Sequence, residues 1–153
     1  MNLLVLGYGN PGRQDDGLGP ALAEAVEAMA LPGVRAATGY QLNIEDAADL
    51  AEADVAVFAD AAKVGAEPFE FHEIGPAREI TFTTHALDPG SLLALCRDVY
   101  KRAPRGFLLA MRGYEFEFAE GLSEPAAKNL DKALAFVKPL LCRPPAQWPV
   151  ADH

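Results

Sequence analysis

Three residues of this 153-residue chain combine the types and the places that chemistry would need. Asp16 lies in a glycine-rich loop, Gly7 to Gly19, that follows the strand-like run Asn2 to Leu6; Asp60 ends the run Val55 to Ala59; His85 follows Ile80 to Thr84, just ahead of Asp88-Pro89. In an open parallel sheet, ligands gather beyond the carboxyl ends of the strands, so all three can lie on one sheet edge. Two carboxylates and an imidazole suit a borderline divalent ion such as nickel or zinc, with positions left for water or substrate. Each residue also has an ordinary reading, since aspartates at such places cap or turn the chain and a single histidine is more often structural. Their common placement puts the metal reading first.

The loop itself spells G-x-G-x-x-G through Gly7, Gly9 and Gly12, the pattern of a dinucleotide site. Its context argues otherwise. Asp15 and Asp16 stand where a pyrophosphate would sit, and the second strand ends in Ala36-Ala37-Thr38-Gly39 without an acid for a ribose. Nor does the chain offer a nucleophile: Ser91 and Ser123 occupy helix starts, where hydroxyls cap, and Cys96 and Cys142 have no local histidine. His72 falls in the alternating stretch Phe69 to Glu73 and reads as solvated, and His153 ends the chain. A metal-activated water is then the economical route to hydrolysis.

The opening block resembles that of the hydrogenase maturation proteases, endopeptidases that trim the C-terminal tail of nickel-iron hydrogenase large subunits. The matching residues are Gly7, Gly9, Asn10, Asp15, Asp16, Gly17 and Gly19, and two later stretches, Gly113-Tyr114-Glu115 and Gly121-Leu122-Ser123, are similar to the family's closing region. The resemblance spans residues 1 to about 140. It implies a three-layer αβα fold with a mainly parallel, mixed sheet of the phosphorylase/hydrolase-like kind, and an endopeptidase acting on a hydrogenase large-subunit precursor. It places nickel, arriving with the substrate, on Asp16, Asp60 and His85, with zinc or cadmium as substitutes in vitro. Asp15 is left to cap a helix or hold the loop. Asn10, Gln41 and Glu45 are the candidates for substrate contact, although Gln41-Leu42 departs from the glycine- and threonine-rich segment usual there. A peptidyl-tRNA hydrolase also opens G-x-G-N-P-G, but this chain continues Arg13-Gln14-Asp15-Asp16, without that family's histidine. A metal-binding chaperone without protease activity is the other alternative.

The elements that must position these residues alternate between apolar runs and helical stripes, which signals an α/β layer fold. Strands are expected at Asn2 to Gly7, Val34 to Thr38, Asp54 to Asp60, Pro68 to Ile74 and Gly106 to Arg112, with a shorter one near Glu115 to Ala119. The alternating fourth run reads as an antiparallel edge strand. Leu18, Leu22, Val26 and Met29 form one helical stripe, and Glu45 to Glu52 a short acidic helix. Asp88-Pro89 opens a third helix, and Ser123 opens a last one that Pro139 kinks or ends. One domain over residues 1–141 is expected, followed by a loose proline-rich tail over 142–153. Half the residues are hydrophobic, and a net charge of -9 without any basic run argues against nucleic acid. Two cysteines without paired spacing, no leader and no membrane-length apolar run lead to the expectation of a cytoplasmic protein.

Overall fold

The computed structural model describes residues 1–77 and 87–149. Its elements in chain order are β1 (Leu3–Tyr8), α1 (Leu18–Ala28), β2 (Val34–Gly39), α2 (Asp46–Ala51), β3 (Val55–Ala62), β4 (Phe69–Ile74), α3 (Pro89–Tyr100), β5 (Arg105–Arg112) and α4 (Glu124–Leu141). The strands form one five-stranded sheet in the order β2-β1-β3-β5-β4. The first four run parallel, and β4 pairs antiparallel with β5 at the edge, as the alternation of Phe69 to Glu73 led one to expect. The architecture is the α/β layer fold with a mainly parallel, mixed sheet.

Side-chain alternation along the strands divides the core in two. Leu3, Val5, Val55, Val57 and Leu109 face α1 and α4, while Leu4, Leu6, Ala56 and Phe58 face α2 and α3. Both layers are closed by the stripes read from the sequence: Leu18, Leu22 and Val26 on one side, Leu92 and Cys96 on the other, all buried. Helix starts also follow local chemistry. Asp88 caps α3 by accepting the Ser91 N–H at 2.7 Å, with Pro89 in the first turn, and Ser123 caps α4.

Two expectations are corrected. The run Glu115 to Ala119 is a loop rather than a strand, its one β-type pairing among the described residues an isolated bridge between Arg13 and Ala119. Its N–H groups are occupied elsewhere: Glu115 donates to the Asp15 carboxylate and Glu117 to the Gln14 side chain. The tail is not loose over residues 143–149. Trp148 is buried, its ring 4.9 Å from Phe107 and 6.2 Å from Phe71, and its indole N–H donates to the Arg143 carbonyl at 3.1 Å. The aromatic surface gained there outweighs the chain-breaking tendency of the prolines. Pro139 sits inside the last turn of α4, which runs on to Leu141.

Candidate active site

The four parallel strands all end on one side of the sheet, and β3 ends later than β1. β1 pairs with β3 only as far as Ala59, whereas Asp60, Ala61 and Ala62 continue to pair with β5. Asp60 therefore stands on a stretch of strand that overhangs β1, where the glycine-rich loop fills the space. Gly19 makes this possible: a side chain there would meet the carbonyl oxygens of Ala59 at 2.5 Å and of Tyr8 at 2.6 Å. The first turn of α1 thus rests directly on the ends of β1 and β3, and the preceding turn brings Asp16 towards Asp60.

The electrostatics record that approach. Burial pushes the Asp60 carboxyl up to about 6, and the negative charge of Asp16 adds to the rise; hydrogen bonds from the Ala61 N–H, at 2.8 Å, and from the Tyr8 hydroxyl act against it. Asp16 is itself held, accepting the Asn10 N–H at 2.7 Å, while the Asn10 side chain accepts the Gly12 N–H at 2.9 Å. A carboxyl reluctant to ionise within reach of a second negative charge is an arrangement that a cation relieves, and carboxylate oxygens suit a hard or borderline divalent ion. Among the described residues no group of three ligating side chains converges. His85 and the run before it lie outside the described residues. Leu87, which follows, is buried in the α2–α3 layer, and the Asp88 charge lies near enough to Tyr8 to act on its hydroxyl.

Tyr8 was missed by the sequence reading. It ends β1, is held protonated by burial first and then by the neighbouring Asp60 charge, and donates to Asp60. Its only sequence signal is its place, the residue between the two glycines that close the first strand.

Asp15 has a different task from its neighbour. It is fully buried, and its carboxylate accepts four hydrogen bonds: the N–H groups of Tyr114 (2.7 Å), Glu115 (2.9 Å) and Ser123 (2.7 Å), and the Ser123 hydroxyl (2.7 Å). Burial works to raise its pKa, but the donors from Glu115, Ser123 and Tyr114 together hold it below the usual carboxylate range. No side chain caps α1, so Asp15 holds a loop, and the loop belongs to the far end of the chain. Gly113 leaves room for it, since a side chain there would come within 2.8 Å of the Asp15 Cβ. The three sequence segments that carry the family resemblance, around Asp15, Gly113-Tyr114-Glu115 and Gly121-Leu122-Ser123, meet at this carboxylate.

Gln41 and Glu45 are both exposed, in the loop between β2 and α2 that Leu42 pins to the core. That loop leaves the same sheet edge as Asp16 and Asp60.

Solved structures share this architecture. The [NiFe] hydrogenase maturation protease HycI from Thermococcus kodakarensis KOD1 superposes with a TM-score of 0.73 at 21% identity, over 93% of each chain. The hydrogenase maturating endopeptidase HybD from E. coli gives a TM-score of 0.73 at 22% identity, again over 93% of each chain. The hydrogenase 2 maturation peptidase from Thaumarchaeota archaeon SCGC_AB-539-E09 gives 0.68 at 22% identity, over 93% of this chain and 99% of that one. The chain has the fold of the hydrogenase maturation proteases. No protein-family model matches it, and none of the curated proteins matches it. The strand register of this chain puts Asp60 at the carboxyl edge of the sheet, the edge where ligands gather in open α/β folds. No helix among the described residues is long and apolar enough to cross a membrane.

Proposed function

We propose that the chain is an endopeptidase that removes the C-terminal extension of a nickel-iron hydrogenase large-subunit precursor during maturation. The observation that carries this reading is the place of Asp60 on the strand end that overhangs β1 at the sheet's carboxyl edge, where burial first and then the Asp16 charge push its carboxyl up to about 6. The names of the structural neighbours supply the substrate class. Nickel is read here as part of the substrate, met by Asp16, Asp60 and His85. A divalent ion so held supplies Lewis-acid polarisation of a carbonyl. The chain's own residues orient and neutralise. The Asn10 N–H fixes the Asp16 carboxylate, and Tyr8 and the Ala61 N–H fix that of Asp60; on this reading Asn10, Gln41 and Glu45 contact the precursor. A site assembled only when the precursor arrives with its ion gives selectivity without a resident nucleophile.

Purified chain incubated with nickel-loaded precursor is expected to cut once near the C-terminus, as read by intact-mass spectrometry, and to ignore metal-free precursor and casein. Asp16→Asn, Asp60→Asn and His85→Ala should each abolish the cut. Equal cleavage of metal-free precursor, or full activity in any two of the variants, would refute the reading. Nickel binding with no cleavage of any precursor would favour a chaperone.

A further inference from the structure

Among the described residues, the sheet has an open edge beside the site loop. β2 is its outermost strand on that side, and along a parallel strand the N–H and C=O of every second residue point away from the neighbour. The Gly39 carbonyl accepts from Gly9 at 3.0 Å, so Gly39 faces β1 and the outward residues are Val34, Ala36 and Thr38. The first two N–H groups are plugged: Val34 donates to the Leu31 carbonyl at 3.2 Å, and Ala36 to the Glu27 carboxylate at 3.1 Å. Thr38 carries no such plug among the described residues.

At Thr38 the edge opens onto a groove of about 220 Å³ walled by Pro11, Pro20, Tyr40 and Glu24. Tyr40 is 76% exposed, a large aromatic left in solvent beside an unpaired strand end. A second hollow of about 200 Å³ continues past Pro11 and Pro20 to Leu122. The prolines and the tyrosine offer apolar walls, and Glu24 is the charged group of the first hollow, on a chain whose net charge is -9. We propose that this groove is an exosite for an extended, basic polypeptide segment, which pairs with the backbone of Thr38 and sets a lysine or arginine against Glu24. An unpaired strand edge is satisfied by another backbone, and the acidic surface selects a basic one. Strand spacing places the added segment three strands away from β3, about 14 Å from the strand carrying Asp60. The grip is therefore remote from the carboxylate pair. Its purpose, to hold a precursor while its tail is cut, rests on the endopeptidase reading; its chemistry does not.

The test titrates the full chain with two acetylated, amidated peptides, Lys-Val-Lys-Val-Lys and Glu-Val-Glu-Val-Glu, while following backbone amide resonances. The basic peptide is expected to move the amides of Thr38, Gly39 and Tyr40 and the acidic one to leave them in place. Glu24→Lys should weaken the basic peptide about two- to fivefold. Thr38→Pro, which removes an outward N–H at an edge position where proline is tolerated, should weaken it about fivefold. Unmoved amides at millimolar basic peptide, equal response to both peptides, or wild-type affinity in both variants would overturn the exosite. Asp16→Asn should bind the peptide as wild type does. A chain that binds the peptide yet cuts no nickel-loaded precursor would overturn the endopeptidase reading and leave the exosite standing.

Discussion

Two adjacent aspartates should fail in opposite ways when each is changed to asparagine. At Asp15 one carboxylate oxygen takes three donors, the N–H groups of Tyr114 and Glu115 and the Ser123 hydroxyl, and the other takes the Ser123 N–H at 2.7 Å. An asparagine amide can keep the first three only by turning its NH2 towards the Ser123 N–H. Two donors then face each other at a buried position, and three charge-assisted bonds become neutral ones. Each such weakening costs about 1 kcal/mol and the orphaned buried donor about 1–3 kcal/mol, partly offset by no longer burying a charge. The net loss for Asp15→Asn is about 3 kcal/mol. Asp16→Asn retains an oxygen for the Asn10 N–H, the one hydrogen bond its carboxylate accepts among those described, and sits in partly solvated surroundings, so its cost is below about 1 kcal/mol. Urea unfolding reads the difference. With a slope of about 2 kcal/mol per molar, the midpoint of Asp15→Asn falls by about 1.5 M and that of Asp16→Asn by less than about 0.5 M. The pH dependence has a definite sign: the folded pKa of Asp15 is depressed, so its contribution is complete above the ordinary carboxylate range and is lost as pH falls through the folded value. The gap between wild type and Asp15→Asn should therefore close in acid. An Asp15→Asn loss under about 1 kcal/mol, or one smaller than that of Asp16→Asn, would refute the division of labour between them.

Asp60 should behave in the reverse sense. Its folded pKa is raised to about 6, so ionising it costs stability as pH rises from about 4 through about 6; discounted for its partial exposure, Asp60→Asn should stabilise the fold by about 1–2 kcal/mol at pH 7.5 and not at all at pH 3.5, while processing is lost. Thermal unfolding at the two pH values checks this, and a variant less stable than wild type at pH 7.5 would count against it. Trp148→Ala should cost about 3 kcal/mol, lowering the midpoint of thermal unfolding by about 6–12 °C, because the indole is buried against Phe107 and Phe71; a negligible shift would return the tail to the loose state expected from its prolines.

Local chemistry was legible in the sequence, and distant partners were not. The five strands and four α-helices of the described residues follow from alternation, helical stripes, caps and the glycines and prolines between them, all of which act within a few residues. The sixth run, Glu115 to Ala119, has the composition of a strand, but its backbone donors are taken by side chains of Gln14 and Asp15, which no local pattern displays. Trp148 misled for the same reason: its aromatic partners come from β4 and β5. The place of Asp60 at a strand's carboxyl end could be foreseen because parallel strands bring their carboxyl ends to one edge whatever lies between them.

Asp15 shows where that logic stops. Its partners lie 99 to 108 residues downstream, so the sequence presents only a second carboxylate beside the first, open to being a cap, a ligand or a brace. In the fold it accepts donors from both later motif segments, with Gly113 small enough to let it in. A shared motif is usually read as shared chemistry, but here much of it encodes one buried hydrogen-bond junction. That junction matters to the site because the loop carrying Asp15 also carries Asp16. Once the first carboxylate is bound to the chain between β5 and α4, the next residue has little freedom except to stand over the end of β3. The brace and the proposed ligand are neighbours because a short, rigid link is the most economical way to place a charge beside Asp60 and keep it there.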